Sequence, residues 1–110
     1  IFIGKVKLSF FDLDGAHSSI MTADTGRIDE KRHLFTARGN VFVESDSGMT
    51  LSTSIMYWYE NKESIYTDQP IVLTTLTDTL YGIGFESDAN LENWTITKPT
   101  GVTYREFGNE

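Results

Sequence analysis

Few residues in this chain combine a reactive type with a useful spacing, and each such group fails a specific chemical requirement. Asp12-Leu13-Asp14-Gly15 places two carboxylates ahead of a glycine, as at the start of a calcium loop. That loop needs a third oxygen ligand before its glycine and a distal glutamate; neither is present, so a hairpin turn is expected. His17 is followed by Ser18 and Ser19, an imidazole beside two hydroxyls. No nucleophile elbow surrounds them, and neither His17 nor His33 has a second histidine at ligand spacing, so both are expected on the surface. The expectation is a protein that is not an enzyme and has no metal and no cofactor.

The stretch from Tyr81 to Ile96, YGIGFESDANLENWTI, is the remaining candidate loop. A dinucleotide fingerprint needs a third glycine and a helix whose N-terminus faces the anion. Here Gly84 is followed by Phe85, Glu86, Ser87 and Asp88, whose carboxylates would repel a phosphate. Gly82 and Gly84 therefore read as positions on one face of a strand where missing side chains permit a bend. Phe85 is expected to turn inward and the acids outward.

Asn93-Trp94-Thr95 fits a glycosylation sequon, a pattern short enough to recur by chance. Trp58 and Trp94 could serve a carbohydrate-binding β-sandwich as a stacking platform. The favoured reading places Tyr57 and Tyr59 in the core and turns Trp58 outward over the opposite face.

Composition sets the class. The 110 residues are 39% hydrophobic and 13% aromatic, which indicates one folded unit, residues 1–110. There is no cysteine, so thiolate chemistry and disulfide frameworks are excluded. A formal charge of -7 argues against nucleic acid as a partner, because such affinity rests on Lys and Arg displacing counterions. No window approaches the ~20 apolar residues of a membrane-spanning helix. The chain opens with Ile1, so a fragment or mature form is expected, with any anchor upstream.

The elements that must position these residues alternate by twos. Val6, Leu8 and Phe10 fall on one face; so do Val41 and Val43, then Leu51, Ile55, Tyr57 and Tyr59, then Ile71 and Leu73. Turn formers gather around Gly15, Gly26, Gly39, Gly48 and Glu60, so tight turns between antiparallel strands are expected. TGRIDEKRHL lacks a second apolar turn and does not support a helix. A shift of about 31 residues lays Leu34-Phe35-Thr36 over Ile65-Tyr66-Thr67, carries Ile65 to Ile96, and with one residue of slack lays Val41 and Val43 over Ile71 and Leu73. Repeated β units with one uncovered face must stack to bury it, leaving an edge at each end.

ARGNVFVES (Ala37 to Ser45), LSTSIMYWYENKESIYTDQPIVLTT (Leu51 to Thr75) and YGIGFESDANLENWTI together resemble the LptC family, the inner-membrane-anchored periplasmic component of lipopolysaccharide export. The general repeat is shared with LptA/OstA-like relatives, so a soluble LptA-like bridge component is the alternative within the superfamily. The resemblance implies an all-β, twisted, open antiparallel β-jellyroll of roughly ten strands, in two sheets that form a V-shaped trough. It implies an upstream membrane anchor, lipopolysaccharide as cargo, an inner-membrane ABC transporter as donor and an LptA-like protein as acceptor through head-to-tail strand addition. The expected acyl-chain lining is Val41, Val43, Leu51, Ile55, Tyr57, Ile65, Ile71, Leu73, Phe85, Leu91 and Ile96. Gly82, Gly84, Val102 and Tyr104 are expected to shape the partner edge.

Overall fold

The computed structural model describes residues 2–11, 18–88 and 91–104. They form seven strands: β1 (Phe2–Phe11), β2 (Ser18–Asp29), β3 (Leu34–Ser45), β4 (Thr50–Tyr59), β5 (Ser64–Thr74), β6 (Asp78–Asp88) and β7 (Trp94–Tyr104). A single 3-10 turn, Glu60–Lys62, joins β4 to β5. The strands pair antiparallel in chain order as one open sheet, with β1 and β7 at its edges. The all-β, open, antiparallel expectation holds, but the described residues give seven strands in one sheet where roughly ten in two were expected. Two of the expected turns, at Gly26 and Gly39, lie inside β2 and β3. The Asp12–Gly15 turn and His17 fall outside the described residues.

The turns that do form are built by side chains that replace ladder hydrogen bonds. Asp29 accepts from the backbone N–H of Arg32 at 3.2 Å. The Ser45 hydroxyl takes the N–H of Met49, and the Thr75 hydroxyl takes those of Thr77 and Asp78. Glu63 closes the 3-10 turn in the left-handed region at φ 50°.

One irregularity shapes the whole molecule. Every strand pair from β2–β3 to β6–β7 breaks register once near its middle. Lys5, Gly39, Asn40 and Gly84 adopt positive φ along the same line. The Asn40 amide donates to Asp24 at 2.9 Å, holding the bulge of β3 against β2. Bulges sharpen local bending and twist, so a row of them forms a crease across the sheet. It separates one half, with Met21, Val43, Leu51 and Leu73 in register, from another with Phe35, Trp58 and Ile65 in register.

The creased halves fold onto each other, which is how one sheet without a helical layer buries its own apolar face. Phe10 lies beside Ser19, whereas Trp58 lies in the row of Phe35 and Ile28. On a flat sheet the two rings would stand roughly 30 Å apart, since the rise along a strand is about 3.3 Å per residue. Their centroids are 4.8 Å apart. Between the halves sits a single core whose fully buried side chains include Phe85, Met21, Leu51, Met56, Ile65, Leu73 and Leu91. Gly26 permits the close approach: a Cβ there would stand 2.5 Å from Phe35 and 2.7 Å from Val6.

The crease also resolves the internal repeat. The buried residues Phe35, Ala37, Val41 and Val43 of β3 match the buried Ile65, Thr67, Ile71 and Leu73 of β5 at a shift of 30 with no slack. The shift of about 31 holds only onward from Ile65 to Ile96, and beyond Ile96 the ladder of β7 gains an extra residue near Thr100, where Tyr81 pairs with Gly101 and Gly82 with Pro99.

Candidate functional site

An apolar groove of about 580 Å³ opens where the two halves of the sheet meet. Its floor comes from Leu8 and Phe10 on β1, Ile28 on β2, Leu34 and Phe35 on β3, and Trp58 on β4. The Phe10 and Trp58 rings, tilted 53° to each other, join the two sides. Its polar rim comes from Ser9, Asp29, Glu30, His33 and Glu60. Two turns hold that rim together, because the Glu60 N–H donates to the His33 carbonyl at 3.0 Å. The His33 Nδ1 also lies 3.3 Å from Glu60 Oε1 and Arg32 Nε lies 3.7 Å from Asp29 Oδ2, both pairs solvent-exposed and thus weak. The volume lies within the range of ~300–1,000 Å³ typical of small-molecule clefts. Among the described residues no group of three His, Cys, Asp or Glu side chains could hold a metal ion.

The structure distributes the sequence-derived residues unevenly. Val41, Val43, Leu51, Ile65, Ile71, Leu73, Phe85 and Leu91 are buried together in the core, and Ile96 packs half-buried against it. Ile55 and Tyr57 do not join them. Leu51 and Thr53 face the core with odd numbering, but register breaks between Thr53 and Tyr57, and Met56 and Trp58 take the inner face thereafter. Tyr57 instead packs on the outer face beside Tyr66, ring centroids 6.1 Å apart, with Tyr59 6.4 Å from Tyr66.

The same slip overturns the outward placement of Trp58 and the inward placement of Tyr57 and Tyr59. Both tryptophans pack half-buried against the core, not as an outer platform. Trp58 packs on the core, and Trp94 stacks on Phe85 at 6.4 Å with an interplanar angle of 18°.

Both glycines of β6 are buried, but they do not share the one face expected of them: a Cβ at Gly82 would meet the half-buried Ile96 and one at Gly84 the exposed Thr97, and Gly84 has φ +87°, where the strand bends before Phe85. Glu86 is exposed, on the opposite face. Val102 and Tyr104 lie on the edge strand β7, opposite Leu80 and Asp78. The groove residues Ile28 and Phe35 carried no sequence signal strong enough to single them out. Leu8 and Phe10 did, through the alternation of β1, but nothing in the sequence joined that strand to Trp58.

A creased, open β-sheet folded over an apolar interior, with a groove at its mouth, defines the class of β-trough proteins. Residues 1–105 match the family described as lipopolysaccharide-assembly, LptC-related, and the chain belongs to that family. No curated protein matches the chain. Among the described residues no helix is long and apolar enough to cross a membrane.

Proposed function

We propose that this chain is a non-catalytic carrier in lipopolysaccharide transport, taking acyl chains of lipid A between the halves of its creased sheet. It receives the lipid in the periplasm from the inner-membrane ABC transporter, where an upstream helix anchors it. It passes the lipid to an LptA-like bridge protein by strand addition at an open edge. The observation that carries this reading is the groove beneath Phe10 and Trp58, continuous with a core of apolar side chains and lying in a chain of a lipopolysaccharide-assembly family. Burial of acyl chains there is worth roughly 0.8 kcal/mol per methylene. Leu51, Ile65, Leu73 and Phe85 are fully buried in the core. Val41, Val43, Ile71 and Leu91 are buried with them, so acyl chains reach these side chains as the two halves part along the crease, whereas Ile96 is half-buried. The unpaired outer sides of β1 and β7 supply main-chain donors and acceptors for a neighbouring sheet.

The test is site-specific photocrosslinking. A photoreactive residue at Phe10 or Trp58 is expected to crosslink to lipopolysaccharide, and one at Tyr57, on the outer face, is not. Equal yields at Trp58 and Tyr57 would overturn the assignment of the groove as the acyl site.

A further inference from the structure

The outward side of the half-sheet that buries Val43, Leu51 and Leu73 differs from the rest of the surface. Phe42, Val72 and Tyr81 stand there in one cross-strand row, because Phe42 pairs with Ser52, Ser52 with Val72 and Val72 with Tyr81. Ile20 and Ile83 flank the row, and Ile20, Phe42, Tyr81 and Ile83 are each 37% to 41% exposed. In this row and the next, β4, β5 and β6 present Thr50, Ser52, Val72, Thr74, Thr79 and Tyr81, with no charged side chain among them. The outward side of the other half instead sets Arg27 and Glu86 in the row of Tyr57 and Tyr66. Aromatic side chains on a face cleared of charge are the mark of an interface core.

Shape and charge say what covers it. A depression of about 460 Å³ lies between β3 and β4, lined by residues 40–42 and 52–54, and Ile83 projects from β6. Along the crease side of the face stand two opposite charges: Asp24 on β2, whose carboxylate takes the Asn40 amide, and Lys98 on β7, paired with Ile83 in the ladder. In the strand order β2 and β7 are equally far from the line between β4 and β5, as are β3 and β6. A two-fold axis along that line lays β2 over β7 of a second copy, β3 over β6 and β4 over β5, and keeps every row in place. Phe42 then meets Tyr81 of the second copy, Ile83 enters its depression and Asp24 faces its Lys98, each contact occurring twice.

From this self-complementarity we infer that the face is a dimer interface and that its occupant is a second copy of this chain. Six strands about 4.8 Å apart and three rows about 6.6 Å apart give a footprint of roughly 600 Å² per copy, at the lower end for a specific interface, so the dimer is reversible. The exposed ion pairs fix register more than they add affinity. The groove and both sheet edges stay uncovered, so this association goes beyond the carrier reading and does not compete with it.

Sedimentation velocity, from micromolar to hundreds of micromolar chain, reads the association, and circular dichroism checks the fold of each variant. A concentration-dependent dimer is expected. Ile83→Lys is expected to weaken it about tenfold or more, because it drives a charge into the depression of the second copy. Phe11→Lys is the control: Phe11 is 69% exposed but lies on β1, outside the overlap, and the dimer is expected to survive its loss. Asp24→Lys and Lys98→Asp are each expected to weaken the homodimer, and the two variants mixed are expected to form a stronger heterodimer, since unlike charges then meet at both ends. Should Asp24→Lys unfold, Lys98→Asp alone gives the reading, its effect shrinking as salt rises. A monomer at every concentration, or a dimer that Ile83→Lys leaves intact, would overturn the inference. So would a dimer whose formation slows amide exchange along the free edge of β1 or β7, which would assign the contact to strand addition.

Discussion

Phe85→Ala is expected to cost about 3–5 kcal/mol of unfolding free energy, the largest stability loss of any single truncation in this chain. Phe85 is fully buried, stacks on Trp94, and pairs across the ladder with Thr67 of β5 and Ile96 of β7. Among the described residues there is no second sheet or long helix to collapse into the space, because both walls of the core belong to one sheet. A domain whose whole stability is about 5–15 kcal/mol loses a large share of it. Urea denaturation should show a lower midpoint with an unchanged slope. Tyr57→Ala, on the outer face, should cost about 1 kcal/mol. Equal losses at the two positions would mean that the interior is not packed as described.

Gly82→Val is expected to be the most damaging small-to-large change, at about 1–3 kcal/mol or more. A Cβ at Gly82 would collide with the Ile96 side chain and stand 3.0 Å from the Lys98 carbonyl oxygen. The second contact is with backbone, so no rotamer change relieves it. The strand that must yield is β7, an edge strand with only β6 to hold it. Amide hydrogen exchange should therefore accelerate in β7 first, while the β3–β4 ladder keeps its protection. Uniform acceleration along the chain would show that β7 does not respond as a separate unit.

Much of this was legible in the sequence because period-two alternation survives wherever the ladder is regular. Val41 and Val43, Ile71 and Leu73, and the run from Val6 to Phe10 all took the faces their spacing implied. The failures cluster at the crease. In β4 the alternation through Leu51, Ile55, Tyr57 and Tyr59 looked continuous, yet the break after Thr53 exchanges the faces and brings Met56 and Trp58 inward. A one-residue slip inverts every side chain beyond it, and no local composition marks it there, since Ser54 and Ile55 are ordinary strand residues. Gly26 and Gly39 looked like turns for a related reason. Glycine signals both a reversal of the chain and a close approach within a strand, and the sequence does not distinguish the two.

The groove was harder still to foresee. Phe10 and Trp58 are separated along the chain and across three strand pairings, and they meet only because the sheet folds along its crease. The polar rim gathers Ser9 of β1 with residues at two turns, which a backbone hydrogen bond from Glu60 to His33 joins. Ile28, set among charges, showed no amphipathic pattern that would have marked it as lining.

The order of the strands has a consequence for how such a protein is made and how it varies. Among the described residues every strand pairs only with its neighbours in sequence. Assembly can thus proceed as successive hairpins, each docking on the one before it, without waiting for distant segments of the chain to meet. Removing or adding a terminal hairpin would leave the inner ladders intact and present a fresh edge of the same kind. The architecture therefore has no intrinsic unit length, and its reach is set by the number of hairpins encoded.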